Sequence, residues 1–440
     1  MGRMRSGAGR LLALGAALGM AVGGWGLAPA SAAQPVDEYI VVLKDNVDAE
    51  AVAHVHDKQY AMTETGTYSH AVPAYSAEMT AAEASDVAVD PSVAYVAPNR
   101  IFALAEQSVP RSVTRTGADE SSAKAGDGSG SVDVNIAIID TGIDGSHPDL
   151  NVQAGVDCSS GSATDESPVI DVYGHGTAVA GVAAAKDNDT GVVGMAPGAP
   201  LWSVRVMDSA GAISEAALLC AFDWVTATRT DDDPDNDIAV ANVSIGGGGT
   251  DDGDCGSSGD PMHAAICRSV EAGVTYAVAA GNSGTDFATT VPAAYDEVLT
   301  ATAIGDFDGK PGGAGSSTCD GEDLTRYAQD DGPATFSNFA TSSGDDGHTV
   351  AGPGVCVQST APGGYGNNHG TSFASPAVAG TVALCLSSGT CSGDPSSVMQ
   401  SFLDATAEYA NSNPDQGFTG DASNGDGARY YGYLIRGSIF

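Results

Sequence analysis

The stretch 373–386, FASPAVAGTVALCL, carries no charged residue and follows directly on Gly370-Thr371-Ser372. A run this apolar reads as a buried helix, so the chain must enclose it in a sizeable core. Ser372 falls in the first turn, where its hydroxyl is exposed and the helix dipole presents its positive end. The same field favours negative charge developing on a substrate oxygen. A serine alone is a weak nucleophile, so the rest of the chain has to supply its partners.

Two segments do so. Residues 134–142, VNIAIIDTG, form a β-branched apolar run ending in Asp140 and Gly142. This reads as a buried parallel strand with a carboxylate at its carboxyl end, where open α/β sheets place their sites. Residues 174–181, GHGTAVAG, put His175 at the mouth of another apolar helix. Taken singly, Asp140 reads equally well as a helix cap and His175 as a core histidine. Together with Ser372 they stand in the chain order Asp, His, Ser, which resembles the subtilisin-like serine proteases, the subtilases, from about residue 35 to the C-terminus. The α/β-hydrolase pattern is excluded, because it wants glycine two residues after the serine and Ala374 stands there.

The resemblance implies an α/β fold. A three-layer α/β/α catalytic domain with a mostly parallel sheet would span 106–440, preceded by a small α+β propeptide at 33–105. Ser372 would attack the scissile carbonyl, His175 would carry its proton, and Asp140 would hold the imidazole. Asn282, after the apolar strand 278–280, matches the family's oxyanion donor, although alone it reads as a turn residue. Ser244, Ile245 and Gly246 would wall the substrate cleft on one side, Ala279 and Gly281 on the other, with Gly211 on a second pairing edge. Open glycine-rich walls imply broad, apolar specificity for protein and peptide substrates. The resemblance also implies a structural Ca2+, with Gln107, Asp149 and Asn188 as side-chain ligands and Lys186, Thr190 and Val192 as carbonyl ligands. Two positions depart from the family: Ala178 replaces a common histidine and Phe373 a common methionine.

Within 33–105 the residues predict strands at 38–44 and 92–96, strands round a turn at Pro73 across 68–79, and a helix over 49–60. This unit carries three basic and eleven acidic side chains, so a propeptide of this composition must hold its equally acidic enzyme by apolar contact and strand addition. Its end, Phe102-Ala103-Leu104-Ala105, would occupy the cleft as a product, which makes the propeptide an inhibitor.

Arg3, Arg5 and Arg10, an apolar glycine-rich run and Ala30-Ser31-Ala32 read as a signal peptide over 1–32. The expected product is a secreted, extracellular monomer without a membrane anchor, and no later stretch reads as long and apolar enough to span a bilayer. Eight cysteines after an export segment imply disulfides. Among about 105 connectivities, Cys255 with Cys267 and Cys385 with Cys391 are the expected close pairs, leaving Cys319 with Cys356 and Cys158 with Cys220. The net charge of -39 argues against nucleic acid as a partner and for solubility. Acidic loops leave a dibasic-specific processing protease as the rival reading. A non-catalytic binding homologue would need a broken site.

Overall fold

The computed structural model describes residues 36–60, 62–99, 107–251, 253, 255, 259–423 and 428–440. The export segment expected over 1–32 and the product-like 102–105 lie outside them. The chain divides after Ala103 into two compact units.

The first unit runs β1 (Val36–Leu43), α1 (Ala49–Gln59), β2 (Thr63–Tyr68), β3 (Ala74–Thr80), α2 (Ala81–Val87) and β4 (Val93–Pro98). The strands form one antiparallel sheet in the order β2-β3-β1-β4. Val41, Leu43, Ala53, Tyr75, Met79 and Val87 make its core. One feature differs from expectation. The strand before Pro73 starts at Thr63 and ends at Tyr68, because this polar, largely exposed edge strand carries no apolar alternation. Helix α2 lies between strands, where helical stretches such as 49–60 are expected, but only its capping box of Thr80 and Glu83 sets its start.

The second unit opens with α3 (Arg111–Thr116) and then alternates strands and helices. Its first half holds β5 (Ile136–Asp140), β6 (Val152–Asp157), β7 (Thr164–Asp165), α4 (His175–Ala184), β8 (Leu201–Arg205), α5 (Glu215–Thr228), β9 (Val240–Val243) and β10 (Gly247–Gly248). There follow α6 (Pro261–Ala272), β11 (Thr275–Ala279), β12 (Thr290–Val291), β13 (Leu299–Gly305), and the short β14 (Thr318–Cys319), β15 (Glu322–Asp323) and β16 (Gly332–Pro333). The last elements are α7 (Ser343–Asp346), β17 (Thr349–Ala361), β18 (Gly364–His369), α8 (Thr371–Ser388), α9 (Pro395–Ser412) and β19 (Tyr433–Leu434).

The main sheet runs β18-β17-β13-β11-β9-β5-β8-β6-β7, and its central pairs from β6 to β17 are parallel. Both faces are buried, as a parallel sheet requires. In β5, Ile136 and Ile138 face one core with α4, α8 and α9. Ala137 and Ile139 face the other core with α5 and α6. This is the α/β/α layering expected.

One helix does reach the length and apolarity of a membrane span: α8, with mean hydropathy 1.2. The expectation that no such stretch exists fails because a helix enclosed on every side must be apolar all round. In this unit 78% of it is buried by protein. All four disulfides are formed: Cys158–Cys220, Cys255–Cys267, Cys319–Cys356 and Cys385–Cys391.

Small residues let α8 lie against its neighbours. A Cβ added at Gly380 would stand 2.6 Å from the Ala183 carbonyl oxygen and 2.7 Å from Met195 Cβ. Gly380→Ala should therefore destabilise by about 1–3 kcal/mol through overpacking, although alanine favours helix by about 1 kcal/mol over glycine. Urea denaturation of the full chain carrying Ser372→Ala measures this. An unchanged or higher midpoint would show that the helices can move apart freely.

Candidate active site

Asp140 ends β5 and His175 begins α4. Their meeting depends on backbone proximity: a Cβ on Gly176 would overlap the carbonyl oxygen of Gly142, so only glycine follows this histidine. His175 Nδ1 lies 2.7 Å from Asp140 Oδ1. A carboxylate only accepts, so Nδ1 carries the proton and Nε2 of the neutral ring keeps its lone pair. Asp140 is buried, and its Oδ1 also accepts from the N–H of Thr141 at 2.7 Å.

Asp171, not singled out from the sequence, fixes this corner. One of its oxygens accepts from the N–H groups of Tyr173 and Gly174 and from the Thr141 hydroxyl. The other accepts from the N–H and hydroxyl of Thr177, in the first turn of α4. Thr141 Oγ1 in turn accepts from the N–H of Gly176 at 2.9 Å. Burial by itself depresses the His175 pKa, but the Asp140 charge and hydrogen bond, with Asp171 behind them, outweigh it and raise the pKa above the usual imidazole value.

Ser372 is the second residue of α8. Its hydroxyl donates to the Ser244 carbonyl at 3.4 Å, and among the described residues it makes no hydrogen bond to His175. Such bonds often tighten only when substrate arrives. Phe373 packs its ring edge-on to His175, centroids 5.4 Å apart.

Pro376 lies inside α8 and has no N–H to give to the carbonyl four residues back, that of Ser372. That carbonyl instead accepts the Ser244 hydroxyl at 2.8 Å. A one-way series of donors leads to it: Ser375 Oγ to Asn242 Oδ1 at 2.7 Å, then Asn242 Nδ2 to Ser244 Oγ at 3.0 Å. Asn242 was missed in the sequence, where it looks like any polar residue in a strand.

Asn282 is oriented by Thr371. Its Oδ1 accepts from the Thr371 N–H at 2.9 Å and the Thr371 hydroxyl at 3.0 Å. Both are donors, so the oxygen of this amide is taken and its nitrogen is the end left to donate.

Ser244, Ile245, Gly246, Ala279 and Gly281 line one cavity of about 360 Å³ together with Asn282, Thr371 and Ser372. Gly211 does not line it. It sits in a turn with φ +80°, its N–H donating to the Asp208 carbonyl at 3.0 Å. A larger hollow of about 650 Å³ beside Cys220, Asp223 and Arg268 holds no pairing of nucleophile and base.

The residues expected to hold Ca2+ also converge. Asp149 accepts from Asn188 Nδ2 at 3.0 Å and from the Val192 N–H at 2.9 Å. Gln107 Oε1 accepts from the N–H groups of Asn188 and Asp189. Asn188 Oδ1 accepts from the Thr190 N–H and hydroxyl. The Lys186 ammonium turns away to the Pro148 carbonyl at 3.0 Å. Burial raises the pKa of Asp149, and among the described residues no Lys or Arg pairs with it.

Residues 131–425 match the subtilase family, and residues 38–105 match the peptidase inhibitor I9 family. The chain belongs to the subtilase family of serine endopeptidases, with an inhibitor-type propeptide domain before it. It is 35% identical over 302 residues to subtilisin E of Bacillus subtilis, covering 68% of this chain and 66% of that protein. It is 30% identical over 352 residues to M-protease of Shouchella clausii, covering 80% of this chain and 78% of that protein. A crystal structure of a cold adapted subtilisin-like serine proteinase aligns with a TM-score of 0.48 at 23% identity, covering 69% of this chain and 88% of that one.

If Asp140 holds the His175 pKa up, Asp140→Asn should let burial prevail. The His175 pKa should then fall below about 6.5. Histidine NMR titration in a Ser372→Ala background measures this. A value that stays raised would mean that another charge governs the imidazole.

Proposed function

We propose that the chain is a secreted serine endopeptidase made as a self-processing zymogen, with 1–32 as export signal, 33–105 as inhibitory propeptide and 106–440 as enzyme. The observation that carries this reading is the Asp140–His175 hydrogen bond of 2.7 Å, on strand and helix ends that also bring Ser372 and Asn282 to one cavity. His175 Nε2 takes the Ser372 proton as the hydroxyl adds to the substrate carbonyl, and returns it to the leaving amine. Asp140 holds the tautomer and stabilises the imidazolium. The developing oxyanion is met by the free amide nitrogen of Asn282 and the Ser372 N–H at the positive end of α8. Water then repeats the sequence and releases the acid.

The cavity has no acidic side chain among its lining residues, which favours small or apolar side chains before the cut bond over basic ones. Incubating the secreted protein with a peptide library and reading the cuts by mass spectrometry tests this, and preferred cleavage after paired basic residues would replace this reading with the dibasic one. Ser372→Ala should accumulate an uncleaved zymogen; normal self-processing of that variant would remove Ser372 from its role.

Asn282→Ala should cost about 2.7–4 kcal/mol of barrier, the scale known for loss of the matching donor in a relative, with KM little changed. The rate constant kcat reads it. Because the His175 pKa is raised, kcat/KM should fall as pH drops through a midpoint above about 6.5, where the base becomes protonated.

We also infer a structural Ca2+ at Asp149. A buried carboxylate with no Lys or Arg partner among the described residues, in one loop cluster with the amide oxygens of Gln107 and Asn188, fits a hard cation once the N–H donors that now face it give way to oxygens. Asn188 presents its nitrogen to Asp149, so ligation through oxygen needs a half-turn of that amide. Gln107, Asp149 and Asn188 would bind by side chain and Lys186, Thr190 and Val192 by carbonyl, and the ion would supply rigidity rather than chemistry. Chelation should lower Tm, by about 2.7 kcal/mol of lost stability if free Ca2+ stands at 100 times Kd, and Asp149→Ala should blunt the response. A Tm indifferent to chelator would remove the site.

A further inference from the structure

A third grouping lies outside that cavity, where α7 meets the connection from β12 to β13. His348, just before β17, is 2% exposed. Its Nδ1 lies 3.0 Å from the Val298 carbonyl oxygen. A carbonyl only accepts, so Nδ1 carries the proton and Nε2 of the neutral ring carries a lone pair. Burial lowers the pKa of this imidazole despite the carboxylates nearby, so the neutral form persists at pH 7. Nε2 is itself buried and takes part in no hydrogen bond. Asp296 Oδ1 stands 3.8 Å from it. A neutral Nε2 and a carboxylate oxygen are both acceptors, and no proton joins them. Asp345 of α7 completes the group, with one ligand atom from each of the three residues lying within 4.8 Å of the others. The charges of Asp251 and Asp286 bear on the same place. The Phe287 ring stands edge-on to the imidazole at 5.7 Å.

We propose that His348 Nε2, Asp296 and Asp345 form a binding site for a divalent transition cation of the zinc class. One imidazole and two carboxylates leave a fourth tetrahedral position to water, and ligand bonds of about 2.0–2.2 Å require only a small closing of the group. The Asp296 side chain is 62% exposed and can swing to make it. Donation of the other ring N–H to a backbone carbonyl is how ligating histidines are commonly oriented. The imidazole nitrogen selects against Ca2+, which takes oxygen ligands. Such an ion would tie α7 to the loop before β13 and brace the end of the sheet where β13 and β17 begin, without touching the reaction.

The test uses the full chain with Ser372→Ala to prevent self-digestion, in excess Ca2+ to fill hard-cation sites. Zn2+ is titrated by calorimetry, and Co2+ by the visible absorption of its tetrahedral complexes. One equivalent should bind and raise Tm. Asp296→Asn, on the surface, should weaken binding more than about tenfold. His348→Asn should abolish it while keeping an N–H for Val298. His175→Gln should leave it intact. The proposal is overturned if no equivalent binds below about 1 mM, if Asp296→Asn binds as tightly as its parent, or if His175→Gln removes the ion. If His348→Asn fails to fold, Asp296→Asn decides.

Discussion

A proline that cannot donate sets the geometry around Ser372, the proposed nucleophile. Because Pro376 has no N–H, the Ser372 carbonyl is left open in the first turn of α8, and an open buried carbonyl must find a donor. The Ser375, Asn242 and Ser244 side chains provide one in a single direction, so the end of β9 is locked to the start of α8. The same turn carries Thr371, which sets the Asn282 amide. Ser372 and Asn282, the proposed nucleophile and oxyanion donor, are thus held by one piece of backbone, and any tilt of that turn would move both together.

The second constraint is closeness of backbone. The strand that delivers Asp140 and the helix that delivers His175 approach at Gly142 and Gly176 more nearly than any side chain permits. Asp171 then gathers the N–H groups of the intervening loop, so a conformation demanding in entropy is held by five hydrogen bonds to one carboxylate. The raised His175 pKa has a further side. A pKa raised by folding adds stability that is full below the unfolded value and is lost as pH rises through the folded one. The pH range in which His175 loses its proton, as its proposed role as base requires, is therefore the range in which this contribution to stability fades.

Much of this was legible in the chain. The β-branched run at β5 and the apolar α8 announced themselves because both faces of a parallel sheet and all faces of a central helix are buried, and burial writes itself as unbroken hydrophobicity. Asp140, His175 and Ser372 could be singled out because each punctuates such a run at its polar end. Short separations suggested two of the disulfide pairs, and the four cysteines left over still allowed three pairings, of which the structure forms the expected one. What escaped lacks a periodic signal. Strand β2 is an exposed polar edge. Asp171 caps backbone N–H groups two to six residues along its own loop, and Asn242 joins a strand to a distant helix; neither sits in an apolar run whose period would mark it. Gly211, expected on a pairing edge by motif, sits in a turn with positive φ outside the cavity.

Phe373, edge-on to His175, carries a chemical consequence. A thioether beside Ser372 would be open to conversion into a sulfoxide, a polar and bulkier group at the mouth of the proposed site. A phenyl ring offers a mild two-electron oxidant no lone pair. The side chains around Ser372, those of Ser244, Asn242, Thr371 and Asn282, are oxygen and nitrogen groups already at rest towards peroxide. Durability in an oxidising medium is then set away from Ser372 and His175, by thioethers such as Met195 that are shielded only by the packing of the core around them.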